Sequence, residues 1–380
     1  MMQLPIPVFK PLLPPAAKIA AYIVQADAAR HYTNRGPLVQ KLEQRLASAL
    51  SHGEHCLSCT STGTSAIEAA ILAHAGPAQS GKRLAFLPSF TFAATALAVQ
   101  ACGYVPHFVD IDPETWALRP EEIAAHPLRA QAGLVVSVAA FGKMPDIGAL
   151  EELQAASGLP VVLDAAAAFE TLLDRPEVIS TQLPLTLSFH ATKTFSTGEG
   201  GAVVWDDAAA QARVVQVSNF GFHHSRECRV AGINAKMSEY HAAVGHAMLD
   251  SFDARRADYA RIASLYADLA AKRALPGRLH LAPDVSSAYI IFEAHSTDVL
   301  DKCQAYLHAH QVETRRWYER GLHVQPYFAP LPSGQNDNDL AQTEALAGRL
   351  LGLPMAHDLS AETIEYVLDM LQAATMEQSA

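Results

Sequence analysis

Between residues 55 and 205, short apolar runs alternate with longer stretches of helical periodicity. The runs are Cys56–Cys59, Leu84–Leu87, Val105–Val109, Leu134–Val138, Pro160–Leu163, Leu185–Phe189 and Ala202–Trp205. Helical patterns begin near Thr64, Thr91, Arg119 and Asp146. Apolar runs this short have the length of strands rather than helices. Their alternation with helices predicts a mainly parallel sheet covered on both faces, with ligands bound beyond the carboxyl ends of the strands. Leu185-Thr-Leu-Ser-Phe189 alternates as a half-buried strand does.

After about residue 236 the pattern changes. A long helical pattern from Met237 to Ala271 leads to the strand-like piece Ala288–Phe292 and two terminal helices, Leu340–Leu351 and Ala361–Ala373. The expectation is an α/β chain in two parts: a large domain with an N-terminal arm over residues 1–240, and a smaller α+β domain over 241–380. Ahead of the first strand, Tyr32–Val39 reads as a turn entering an amphipathic helix that ends near Ser51. No internal repeat, low-complexity tract or long linker interrupts this plan.

Composition narrows the function. The chain has 380 residues, half of them hydrophobic and 18% charged, which predicts a large buried core. A net charge of −11, with no basic run longer than two residues, argues against nucleic-acid and anionic-membrane partners. Any bound phosphate must then be held locally, by backbone amides and hydroxyls. The five cysteines are an odd, scattered set, as expected in a reduced cytosol. Cys56-Leu-Ser-Cys59 has the spacing of half a zinc site, but no second pair follows, so packing in a strand is expected and no metal. Five early prolines (Pro5, Pro7, Pro11, Pro14, Pro15) break any signal-like segment. The uncharged stretch Leu84–Val109 is divided by Pro88, Gly103 and Pro106 into strand, loop, helix and strand, so it is not a membrane span. A soluble, cytoplasmic protein is expected.

One stretch carries candidate chemistry: "SFHATKTFSTGEGG", Ser188 to Gly201, in which Lys193 stands between two strand patterns. A lysine at the mouth of a sheet is costly unless it loses its charge, and Schiff-base lysines do so readily. An ordinary solvated loop lysine is the alternative, so its neighbours decide. Val161-Val-Leu-Asp164 ends a buried strand in a carboxylate, either a helix cap or a partner for a cation. Ser61-Thr-Gly-Thr-Ser65 opens a helix, where free amides and hydroxyls form either a plain N-cap or an anion site. Pro88-Ser-Phe-Thr-Phe92 brings aromatic rings to the next strand end, and Ser188 adds a hydroxyl. An amine, a carboxylate, a phosphate cradle and an aromatic plate are what pyridoxal 5′-phosphate (PLP) requires. Lys143 also follows a strand but lacks the serine spacing and the Gly-Gly turn of Lys193.

These segments, with "LDAAAAFE", "STGTSA", "PSFTF", "VDIDPETW" and "GINAKMSEYHAA", resemble the successive motifs of the DegT/StrS-type nucleotide-sugar aminotransferases, which are fold-type I PLP enzymes. The resemblance runs from about Tyr32 to Leu359. It implies that Lys193 forms the Schiff base and that Asp164 pairs with the pyridinium nitrogen. It further implies that Thr64, Ser65 and Ser188 meet the phosphate, and that Phe92 stacks on the ring. Asn234 matches an asparagine that reaches the phosphate of the neighbouring subunit, which implies a homodimer with shared sites. Where family members carry Gln or His, three residues after the aspartate, this chain has Ala167.

The chemistry implied is transamination from glutamate to a nucleotide-linked keto-sugar. "YTNRGPLV" and "RRWYERGLHVQPYF" most resemble enzymes that aminate C-4 of a dTDP-4-keto-6-deoxyhexose; C-3 amination and a UDP sugar stay open. His190, Arg229 and the stretch His223–Arg226 are candidates for sugar or diphosphate contacts. A non-catalytic PLP- or sugar-binding regulator is the contrasting reading, and the Lys193–Asp164 pair speaks against it. A dinucleotide-dependent oxidoreductase lacks support, since no G-x-G-x-x-G follows the first strand.

Overall fold

A computed structural model describes residues 5–53, 56–331 and 340–375. Seven strands form the large sheet: β1 (Leu57–Thr60), β2 (Leu84–Pro88), β3 (Val105–Val109), β4 (Ala132–Val138), β5 (Val161–Asp164), β6 (Leu185–Ser188) and β7 (Gly201–Val204). Their order is β1-β7-β6-β5-β4-β2-β3. Neighbours from β3 to β6 pair in parallel, and β7 runs antiparallel to both β6 and β1. All seven expected strands are present, shifted by no more than two residues at an end.

Both sheet faces are covered. Leu163, Leu185, Leu187 and Val204 pack into a core with the helices Pro37–Ala49 and Glu239–Leu249, while Leu134, Val136, Val162 and Val203 meet the helices Gly63–His74 and Ala208–Val217. Double coverage turns a strand into a near-continuous apolar run, which is why Leu185, Thr186 and Leu187 are all buried where alternation suggested a half-buried strand. Cys56 and Cys59 are free, buried thiols in the first of these cores. Burial pushes the Cys56 thiol up to about 11. The stretch Leu84–Val109 does fold as strand, loop, helix (Ala93–Ala101) and strand. No described helix is long and apolar enough to cross a membrane.

The C-terminal part builds a second, antiparallel sheet from β8 (Gly277–His280), β9 (Ile290–Ala294) and β10 (Leu350–Leu353), in the order β10-β9-β8. The helices Phe252–Ala270, Thr297–Ala309 and Ala361–Ala373 pack on it around Phe292, Leu351 and Leu368. Two expectations are corrected here. The helical pattern from Met237 to Ala271 is two helices, Glu239–Leu249 and Phe252–Ala270. They part at Ser251, whose hydroxyl turns back to the carbonyls of Ala247 and Met248, a competition that bends or ends helices. The helix expected over Leu340–Leu351 stops at Ala347, and Leu350 pairs with Glu293 and Leu351 with Phe292 in an edge strand. Apolar burial, available to either conformation, is satisfied there by the sheet. The N-terminal arm runs beside this second sheet, with Ile6 bridging to Val312 and Phe9 to Met355.

Candidate active site

The carboxyl ends of β1, β2, β4, β5 and β6 open on one cavity of about 410 Å³. Among the residues lining it are Thr64, Phe92, Asp164, Ala167, Ser188, His190 and Lys193. The parallel topology brings together side chains that lie far apart in sequence, as the strand-end rule requires.

Asp164 ends β5 and is 5% exposed. Its Oδ2 accepts from the Thr95 hydroxyl at 2.7 Å and its Oδ1 from the Ala166 amide at 3.1 Å. Thr91 and Thr95 share a hydrogen bond of 2.8 Å one helical turn apart, which fixes the Thr95 hydroxyl. Burial raises the Asp164 carboxyl above its ordinary range, against the opposing pull of Thr95, Ala166 and the charge of Lys193. Asp164 makes no ion pair among the described residues. A buried carboxyl at the cavity wall, with no ion pair among the described residues, fits the pyridinium nitrogen of PLP.

Lys193 lies in the turn after β6, with its amide bonded to the His190 carbonyl at 2.9 Å. Its Nζ donates to the Tyr289 hydroxyl at 2.9 Å. Lys143, the other lysine after a strand, is committed elsewhere: it pairs with Asp284 at 2.9 Å and lies over the Trp116 ring.

The candidate anion cradle is the first turn of the helix Gly63–His74. Thr62 and Ser65 close a capping box at its start: the Ser65 amide donates to the Thr62 hydroxyl and the Ser65 hydroxyl accepts from the Thr62 amide, each at 3.0 Å. The Ser65 side chain is thereby held in the cap and does not line the cavity. Gly63 and Thr64 do, with first-turn amides that no intrahelical carbonyl reaches. A Cβ on Gly63 would stand 2.8 Å from the Cβ of Ser188, so the helix start sits on the end of β6 because position 63 has no side chain. Aligned amides, a helix N-terminus and two hydroxyls (Thr64, Ser188) fit a phosphate.

Phe92 projects at the rim, 63% exposed, where its face is free to stack on a planar ligand. His190 is also at the rim, bonded to the Thr192 hydroxyl at 2.9 Å. Besides Ser65, the candidates Arg229, Asn234 and His223–Arg226 lie outside the lining. Arg229 is in an exposed loop and pairs with Glu227 at 2.7 Å. Asn234 is exposed, with its side-chain oxygen held by Lys236.

Phe9 and Tyr289 have no role in the sequence reading, and Arg315, Trp317 and Tyr318 enter it only within the stretch that resembles C-4 aminating enzymes; all five complete the cavity wall from the C-terminal part and the arm. Phe9 packs on Trp317 at 5.0 Å and Trp317 on Tyr289 at 5.6 Å, forming an aromatic side to the cavity. Phe141, at φ 53°, also lines the cavity and packs on Tyr289 at 5.3 Å. A left-handed conformation costs a residue with a Cβ about 1–2 kcal/mol, and strain of this kind gathers at functional sites.

The sequence model of the DegT/DnrJ/EryC1/StrS aminotransferase family matches residues 16–372. The chain belongs to this family. The structure of DesI in the presence of its TDP-sugar product superposes with a TM-score of 0.85 and 32% identity, over 100% of this chain and 95% of that one. A dTDP-4-amino-4,6-dideoxy-D-glucose transaminase of Shigella dysenteriae is 29% identical over 98% of this chain and 99% of its own length. A UDP-2-acetamido-2-deoxy-3-oxo-D-glucuronate aminotransferase of Pseudomonas aeruginosa is 28% identical over 88% of this chain and 89% of its own. The fold is fold-type I, and the protein is an aminotransferase whose cofactor is PLP. Among the described residues, no group of three or more His, Cys, Asp or Glu could hold a metal ion.

Proposed function

We propose that this aminotransferase moves an amino group from glutamate to C-4 of a dTDP-linked 4-keto-6-deoxyglucose. The observation that carries the reading is one cavity, at the strand ends, that holds the Lys193 amine, the buried Asp164 carboxyl and the Gly63–Thr64 amides together. The dTDP-sugar transaminase of Shigella dysenteriae, similar over nearly the full length of both chains, supports the choice of sugar. The Pseudomonas aeruginosa relative supports a second reading, amination at C-3 of a UDP sugar.

Bound PLP supplies an electron sink for the carbon that gains or loses the amino group. The chain's own residues do the rest. The Lys193 amine takes and returns the proton at the carbon bearing the transferred nitrogen, first on glutamate and then, in reverse, on the sugar. Asp164 keeps a proton on the ring nitrogen, in a dry environment where one charge partner counts for far more than in water. Gly63, Thr64 and Ser188 hold the phosphate, and Phe92 confines the ring. Asn234 serves the site of a second subunit in a homodimer, a role supported by its position outside its own cavity. A lysine base and a buried carboxyl have no use in a mere sensor of PLP or sugar.

The test is turnover of glutamate with purified protein and a panel of dTDP- and UDP-linked 3-keto and 4-keto sugars, followed as 2-oxoglutarate and amino-sugar formed. The greatest kcat/KM is expected for the dTDP-4-keto-6-deoxyglucose substrate. A preference for a 3-keto UDP sugar would move the assignment to the second reading. PLP binding without turnover of any sugar would overturn both.

A further inference from the structure

Ala167 lines the cavity, but its side chain has no hydrogen-bonding group to offer it. It packs against the cluster that holds Phe141 and Tyr289. The phenol of Tyr289 enters the same cavity from the loop before β9, and its oxygen is 2.9 Å from Lys193 Nζ. Tyr289 is 8% exposed, and its ring is wedged among Phe141 at 5.3 Å, Trp317 at 5.6 Å and Phe9 at 6.1 Å.

The loop that presents Tyr289 is itself anchored to the large sheet's side of the cavity. The Ser286 amide donates to the Phe141 carbonyl at 2.8 Å, the Tyr289 amide to the Ser286 carbonyl at 3.0 Å, and the Ser287 hydroxyl to the buried Glu170 carboxylate. Gly142 makes room for this docking, since a Cβ there would stand 3.0 Å from the Ser286 Cβ and 2.9 Å from the Ala167 carbonyl oxygen. A side chain pinned at both its backbone and its ring, with its one polar atom on the lysine amine, is a positioned group rather than filler.

We propose that Tyr289 is the positioning residue of Lys193: its hydroxyl orients the amine and, with PLP bound, supplies the donor that Ala167 cannot. The inference rests on Lys193 being the residue that holds PLP. A donor aimed at the ring oxygen next to the lysine nitrogen stabilises negative charge on that oxygen. That in turn lowers the proton affinity of the nitrogen beside it. Removing the hydroxyl has the opposite effect, and the ring that packs the site need not change.

The experiment is a pH titration of the visible absorption band of the PLP-loaded protein, with PLP affinity measured in parallel and the borohydride-fixed label mapped by peptide sequencing. In Tyr289→Phe the midpoint of the band is expected to rise by about one pH unit or more, and PLP affinity to fall. In the double variant Tyr289→Phe/Ala167→Gln, the restored donor is expected to bring the midpoint back toward the wild-type value. An unchanged midpoint in Tyr289→Phe with the label still on Lys193 overturns the proposal and leaves the Lys193 assignment standing. A shifted midpoint with no return in the double variant overturns the part played for Ala167. A label on another lysine overturns both the proposal and the reading beneath it. Should Tyr289→Phe not fold, a fluorinated tyrosine at 289 keeps shape and hydroxyl while making a stronger donor. Its midpoint is expected to fall, and no movement would overturn the proposal.

Discussion

Gly63 and Ser188 meet at van der Waals limits: a Cβ on the glycine would lie 2.8 Å from the serine Cβ and 3.0 Å from its hydroxyl oxygen. The contact seats the amide-bearing end of the helix Gly63–His74 on the last residue of β6, five residues before Lys193. The helix start and the turn that carries Lys193 are thus held together by the absence of one side chain.

Gly63→Ala should therefore separate the two. The added methyl must displace either the helix start or the end of β6, and overpacking of this kind costs about 1–3 kcal/mol. We expect a folded protein whose affinity for PLP is reduced by roughly tenfold or more, since about 1.4 kcal/mol is a factor of ten. Titration of the apoprotein with PLP, followed by absorbance, gives the affinity. Wild-type affinity in this variant would show that the first helical turn does not hold the phosphate.

Lys193 should carry the cofactor. Borohydride reduction of the purified, coloured protein is expected to fix PLP on the peptide that contains Lys193, and Lys193→Ala should lose transamination while still binding PLP noncovalently. Lys143 is held by Asp284 over the Trp116 ring. Mass mapping that found the label on Lys143, or on neither lysine, would remove Lys193 from the mechanism.

How much of this was legible beforehand follows from where each signal lies. Strands buried on both faces write themselves as apolar runs, so all seven strands of the large sheet could be read, as could Asp164 and Ser188 at the ends of β5 and β6. The arm helix Ala16–Ala29 and the strand β8 were missed. The helix is apolar on more than one side but buries Ala26 alone, and β8 is half-exposed with Pro276 and Gly277 at its start. The motif points Ser65 to a phosphate, and in the structure its hydroxyl closes a capping box outside the cavity lining; a helix start offers two uses for one serine. Tyr289 carries no sequence signal beyond a strand, and Trp317 and Tyr318 stand in a stretch whose resemblance points to the sugar without placing either ring in the cavity wall. All three enter the cavity through packing between distant segments, and an aromatic residue near a strand reads as core unless the fold is known. The spacing of Thr91 and Thr95, one helical turn apart beneath an acid, is the one local sign that a buried carboxyl would be held there.

Asp164 trades stability for chemistry, and the two effects can be read apart. A carboxyl whose folded pKa is raised stabilises the fold most at acid pH, and this contribution is lost as pH rises from the ordinary carboxyl range through the raised value. At neutral pH the cofactor-free protein therefore buries an acid that opposes folding. Asp164→Asn keeps the shape and can still meet Thr95 and Ala166. The cofactor-free variant is expected to melt a few degrees above wild type at pH 7, corresponding to about 0.5–2 kcal/mol, with the gap closing below about pH 4. With PLP and substrates present, loss of the charge partner should slow both half-reactions by about 10²–10³. Calorimetry of the apoproteins against pH and single-turnover kinetics of the loaded ones make the comparison. Near wild-type turnover in the variant would leave Asp164 a structural acid held by Thr95 and Ala166 and nothing more.

The last prediction concerns whose site Asn234 serves. It is exposed, bridged to Asn219 through the backbone, with its side-chain oxygen on Lys236, and it is absent from the lining of its own chain's cavity. A residue so placed either opens the turn before the helix Glu239–Leu249 or reaches a second subunit. Mixing distinguishes these. Lys193→Ala and Asn234→Ala homodimers should each be impaired, the second chiefly in PLP affinity. Unfolding and refolding an equal mixture makes about half of the dimers hybrids, as random pairing of two kinds of subunit requires. If Asn234 acts across the interface, one site of each hybrid carries both lesions and the other carries neither. Activity at limiting PLP should then rise well above the mean of the two parents. If Asn234 serves its own chain, every site in the hybrid keeps one lesion and activity only averages the parents. That second outcome, in dimers shown by native mass spectrometry to have exchanged subunits, would end the shared-site reading of Asn234.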